Sequence, residues 1–139
     1  MNTVEDSPAV AGIIEVKKKT ILIYSPDLNF SFSLSTVFQD RYTVVTTTDP
    51  GLLQTFVKHH ATDLIIVDAE PSTSMVTHIR RLKRQNVQTP ILMLYVYTPK
   101  EVEMDGTVRR YVDGVLYKPF DVDTITERVQ QLMLKVAAS

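Results

Sequence analysis

Cysteine is absent from the 139-residue sequence, which excludes a disulfide framework, a zinc-thiolate centre and a thiol nucleophile. An excess of one charge is absent too: 15 lysines and arginines stand against 16 aspartates and glutamates, a net charge of −1. The basic footprint that non-specific nucleic-acid or anionic-membrane binding requires is therefore missing. No apolar run approaches the ~20 residues of a membrane-spanning helix; the longest apolar-rich stretch is Ile91 to Tyr97. The first residues carry Glu5 and Asp6 where a secretory signal needs bases, and neither end carries a lipidation signal. These absences predict a cytoplasmic protein with no nucleic-acid and no membrane partner. What is present, 44% hydrophobic and 22% charged residues, matches an average globular domain. One domain of this size removes roughly 65–70% of its unfolded surface from water, enough for an apolar core.

Residues 1–16 show no sustained periodicity, carry Pro8 and Gly12, and run into Lys17-Lys18-Lys19; they read as a mobile leader before a folded domain over 17–139. Within that domain, Ile21–Tyr24, Leu64–Val67, Ile91–Tyr95 and Gly114–Tyr117 are short and continuously apolar, the pattern of strands buried on both faces. Tyr42–Thr46 is more mixed, as an edge strand would be. Between them the apolar period becomes helical: Phe30, Leu34, Val37 and Phe38; Leu52, Leu53, Phe56 and Val57; Met75, Ile79 and Leu82; Met104, Val108, Tyr111 and Val112; Ile125, Val129, Leu132 and Val136. Asp49-Pro50 and Asp121 supply helix-start signals. The alternation predicts an α/β fold, a doubly wound five-stranded parallel sheet with helices on both faces. Ligands of such sheets bind beyond the carboxyl ends of the strands.

At that edge Asp68 closes one apolar run and Lys118 another, the latter followed by Pro119 and Phe120. A carboxylate and an ammonium there suit a phosphoryl group carried on the acid and neutralised by the lysine. With L-I-I-V-D ending at Asp68, P-I-L-M-L opening at Pro90 and Y-K-P-F around Lys118, the sequence resembles the receiver domains of response regulators, over roughly residues 18 to 136. The resemblance implies a flavodoxin-like (βα)5 receiver fold in two-component phosphorelay signalling. Asp68 would accept a phosphoryl group from a histidine kinase or phosphotransfer protein, and Lys118 would contact that group. The chain would then be no enzyme beyond, at most, its own aspartyl phosphorylation and dephosphorylation.

Several positions depart from the family. Its two metal-binding acids after the first strand correspond to Ser25 and Pro26, so a Mg²⁺ site would require a shifted arrangement using Asp27 with Asp68. Glu70 stands where the family supplies a backbone carbonyl to the metal. Tyr95 occupies the family's Ser/Thr position, and Val115 its switch aromatic. Bulk is thus exchanged between the two, and Tyr95 is expected to fill the space a mobile aromatic would enter. After Asp68 the loop reads A-E-P-S-T-S-M, without the family's glycine, so its turn must differ.

Other readings are weaker. Arg80, Arg81, Lys83 and Arg84, with Arg109 and Arg110, are interleaved with Ile79 and Leu82 and read as a solvated helix face. His59, His60 and His78 lack metal-ligand spacing. A flavin phosphate loop would need glycine in S-P-D-L-N-F-S, and a haloacid-dehalogenase-type phosphatase would need an aspartate where Glu70 stands. Two functions remain: an atypical receiver phosphorylated at Asp68, or a pseudo-receiver acting as a phosphorylation-independent interaction module. Either way the signal is expected to leave by contact with a downstream protein, and a homodimer is left open.

Overall fold

The computed structural model describes residues 17–137 apart from residue 87; the expected leader, residues 1–16, lies outside the described residues. Five strands and five helices alternate: β1 (Thr20–Tyr24), α1 (Leu28–Phe38), β2 (Thr43–Thr47), α2 (Gly51–His59), β3 (Leu64–Asp68), α3 (Thr73–Gln85), β4 (Ile91–Tyr95), α4 (Val102–Tyr111), β5 (Gly114–Tyr117) and α5 (Val122–Ala137). A 3₁₀ turn over Pro99–Glu101 leads into α4. The strands form one parallel sheet in the order β2-β1-β3-β4-β5.

Two apolar layers explain why the central strands show no polar alternation. Ile21 and Ile23 of β1, with Ile66 and Leu92, pack under α1 and α5 through Leu34, Phe38, Ile125 and Val129. Their neighbours Leu22 and Tyr24, with Ile65, Val67 and Met93, pack under α2, α3 and α4 through Leu53, Ile79, Leu82 and Val108. Successive strand residues thus feed opposite cores, and every residue of β3 and β4 is buried. Truncating a fully buried member such as Ile66 to alanine is expected to cost about 2–5 kcal/mol.

Helix starts follow the short polar residues before them. Asp27 Oδ1 accepts from the amides of Asn29 and Phe30 at 2.9 and 3.2 Å, Ser72 Oγ from Met75 at 3.0 Å, and Asp121 Oδ1 from Thr124 at 2.7 Å. Asp49 Oδ1 accepts from the amide of Gly51 at 2.9 Å, but Pro50 is the cap residue, so the helix starts one residue later than a cap at Asp49 with Pro50 as first helical residue would place it. The edge strand is also one residue later than expected, because the Tyr42 amide closes α1 on the Phe38 carbonyl at 3.0 Å and its ring packs edge-on against Phe38. Among the described residues, no helix is long and apolar enough to cross a membrane.

Candidate functional site at the carboxyl edge of the sheet

Strand register places the expected chemistry in one spot. Tyr24 lies beside Val67, and Tyr95 beside Tyr117, so the positions just past β1 and β5, Ser25 and Lys118, flank the end of β3 at Asp68. Lys118 Nζ stands 2.5 Å from Asp68 Oδ1, and Ser25 Oγ donates to Asp68 Oδ2 at 2.7 Å. Both carboxylate oxygens are engaged in an aspartate only 5% exposed, and one contact is a charge-assisted pair of the stronger kind. Ser25 is held from behind, since its oxygen accepts the Asp27 amide at 3.0 Å and its own amide donates to the Thr47 carbonyl at 3.1 Å. The lysine also meets Phe30, whose ring centroid lies 4.2 Å from Nζ and which packs edge-on against Phe120, a cation–π contact. The Lys118–Pro119 peptide is cis. Burial raises the Tyr24 phenol above its ordinary pKa, and the charges of Asp68 and Asp49 add to the rise.

Asp27, the other carboxylate of the shifted metal site, meets the Ser25 hydroxyl that bonds Asp68 only through its own backbone amide. Its carboxylate is spent on the N-terminus of α1, where two amides donate to it. Glu70 is exposed beyond the strand end. The donor set around Asp68 is therefore one carboxylate, one ammonium and one hydroxyl whose proton already points at that carboxylate. Magnesium asks for several free oxygens in octahedral array, usually including one or two carboxylates, and these residues do not fit it. Among the described residues, no group of three or more metal-ligating His, Asp or Glu side chains is gathered anywhere.

A second cluster lies beside the first, built on the two exchanged positions. Tyr95 is 2% exposed and shares a core with Val115; its ring meets that of Tyr117 edge-on at 5.6 Å between centroids. The hydroxyls of Tyr95 and Tyr117 both donate to Asp105 of α4, the latter at 2.8 Å. Arg109, one helical turn on, donates to Asp105 Oδ2 at 3.1 Å and to the Tyr117 hydroxyl at 2.6 Å. Tyr97 packs against the outer side of Tyr117 at 5.2 Å. Burial would raise the Asp105 pKa, but hydrogen bonds from Tyr95, Tyr117 and Arg109, with the arginine's charge, outweigh it and hold the carboxyl below its usual range. Burial, then the bond to Asp105, pushes the Tyr95 phenol well above its ordinary value. The bond to Tyr117, with the carboxylate behind it, raises the Arg109 guanidinium.

Sequence reasoning placed Tyr95 here but missed Asp105, Arg109 and Tyr117 as its partners. A signal was available: Asp105 lies in phase with Val108 and Val112 on an otherwise apolar stripe, with Arg109 at the i,i+4 spacing of a helical ion pair. The basic residues Arg80, Arg81 and Arg84 of α3 are exposed, with the Arg80 guanidinium 5.1 Å from the Tyr111 ring centroid.

Strand order, layers and an acid–lysine pair beyond the strands define a doubly wound α/β domain of the flavodoxin-like class. No family model matches the sequence, and no curated protein is matched by it. Solved structures do match. The signal receiver domain of an HD domain-containing protein from Pseudomonas fluorescens Pf-5 superposes with a TM-score of 0.79 at 16% identity, over 91% of this chain and 94% of that one. The chemotaxis protein CheY4 of Vibrio cholerae gives a TM-score of 0.70 at 25% identity, over 83% of this chain and 98% of its own. NtrX from Brucella abortus gives 0.74 at 15% identity over 87% of this chain, which spans only 28% of NtrX. The chain has the fold of CheY-like signal receiver domains.

Proposed function

We propose that this chain is a receiver-type module of two-component signalling that works by protein contact, in a conformation set by its own hydrogen bonds and independent of phosphorylation at Asp68. One observation carries the reading: Ser25 stands where the resemblance calls for a metal-binding acid, and its hydroxyl donates to Asp68 at 2.7 Å. A site so arranged stabilises the carboxylate in place and offers a metal no second acid. The Tyr95–Asp105–Tyr117 cluster supports the same reading, because the position of the family's phosphoryl-binding hydroxyl is filled by a ring hydrogen-bonded to α4. A histidine kinase or phosphotransfer protein is then an ancestral partner, and a downstream protein the working one.

The 2.5 Å pair of Lys118 with Asp68 favours a second reading. In it Asp68 acts as the nucleophile toward a phosphoryl donor, with Lys118 neutralising the phosphoryl oxygens and little help from Mg²⁺. Incubation with a small phosphodonor such as acetyl phosphate and Mg²⁺, followed by intact mass measurement, separates the two. The first reading expects an unmodified chain. A stoichiometric acyl phosphate that disappears in Asp68→Asn would establish the second.

A further inference from the structure

We propose that residues 9–16 of this chain seat their apolar side chains in the groove between the α1–β2 turn and the late turns of α5. The groove, of about 360 Å³, is walled by Lys19, Tyr42, Gln130, Met133 and Leu134. Met133 belongs to the core and is 5% exposed, whereas its neighbour Leu134 is 69% exposed. A lone exposed leucine is ordinary. Leu134, however, shares a concave surface with a tyrosine ring and a methionine, where one apolar occupant would remove all three from water.

The point at which the chain enters the sheet identifies the occupant. Lys19 is itself a wall of the groove; its carbonyl accepts the Thr43 amide at 2.9 Å, and the Lys18 ammonium reaches the Gln39 carbonyl at 3.5 Å. The residues just before β1 are thereby laid along the α1–β2 turn that carries Tyr42, so the preceding segment starts beside the groove. That segment reads A-V-A-G-I-I-E-V. Ile13 and Ile14 lie within about 20 Å of Lys19 even when the chain between is fully extended, and so short a tether gives an effective concentration on the order of millimolar. Neither a second copy nor a separate protein has that tether. Charge agrees with the assignment: Lys19 is the one charged wall and Glu15 the one charge in residues 9–16. Seated there, the segment covers Leu134, and a downstream protein that binds this end of α5 must first displace it.

Nuclear Overhauser contacts in the methyl-labelled full chain test the proposal. The Ile13 and Ile14 methyls are expected to contact those of Met133 and Leu134 at every protein concentration. Leu134→Asp, a change at an exposed site, is expected to abolish these contacts while the core methyl shifts of Ile66 and Leu92 stay unchanged. Ile14→Trp adds a tryptophan to a chain that has none; its quenching by acrylamide is expected to be severalfold weaker than in the Ile14→Trp, Leu134→Asp double variant. Ile13 and Ile14 methyls without contacts to α5 would overturn the proposal. So would contacts that cross only between differently labelled copies of the chain, or quenching that is the same with and without Leu134→Asp.

Discussion

Asp68 and Asp105 are both buried carboxylates beside a cation at the same edge of one sheet, yet they tie together different parts of the molecule. Asp68 ends a strand and is met by Ser25 and Lys118, single residues just past two other strands. Asp105 sits on a helix and is met by the tips of β4 and β5 through two tyrosine hydroxyls and by its own Arg109. The first cluster closes a gap between loops; the second fastens α4 to the sheet. The contrast separates two kinds of buried acid. On the proposed reading, Asp68 has Ser25 and Lys118 for partners and no second acid beside it, while Tyr95 is tied by hydrogen bonds to Asp105 of α4.

Breaking the second cluster should therefore cost more than breaking the first. Asp105→Ala leaves the buried Tyr95 hydroxyl without its acceptor and frees Tyr117 and Arg109; a loss of about 2–4 kcal/mol is expected from denaturant unfolding, against about 1–2 kcal/mol for Asp68→Ala. Equal losses would remove the distinction. Ser25→Asp sharpens the comparison from the other side by setting two carboxylates against each other. Its melting temperature should fall without Mg²⁺ and recover on adding Mg²⁺, whereas wild type should be indifferent to the metal; a wild-type rise with Mg²⁺ contradicts the account.

Tyr95→Phe removes one donor to Asp105 while Tyr117 and Arg109 remain, so a smaller loss of about 1–2 kcal/mol is expected by the same unfolding measurement. The pH dependence should be smaller still and two-sided. Asp105 has a folded-state pKa below its unfolded value, so its stabilisation is complete above about pH 4 and fades as pH falls through the lower folded value. Tyr95 has a raised pKa, so its contribution is complete below about pH 10 and fades as pH rises further. Urea midpoints across pH should show both limbs in wild type. The acid limb should flatten in Asp105→Asn and the alkaline limb in Tyr95→Phe.

Much of this was legible in the sequence for a physical reason. Strands buried on both faces must be continuously apolar, and Leu64–Val67 and Ile91–Tyr95 are; helices must repeat near 3.6, and the stripe through Ile125, Val129 and Leu132 does. The end of each strand then located Asp68 and Lys118 together, and the resemblance set Ser25 and Pro26 at the positions where it calls for acids. Asp27 was ambiguous because one carboxylate can serve a metal or a helix N-terminus, and its contacts with the Asn29 and Phe30 amides, which belong to the second role, are invisible in the sequence. Asp105 was hidden because a charged residue on a buried face is visible only when its partners are known, and Tyr95 and Tyr117 come from other elements. Phe30 beneath Lys118 was read as core, since helical periodicity reports burial and says nothing of a cation at the ring.

The most direct measurement follows backbone amide shifts while Mg²⁺ and beryllofluoride are added to wild type and Asp68→Asn. A module that works independently of phosphorylation should show no saturable shifts at Ser25, Asp68 or Lys118, and none carried to Tyr95, Asp105 or Tyr117. Saturable shifts around Asp68 that reach Tyr95 and α4 in wild type and vanish in Asp68→Asn would contradict it.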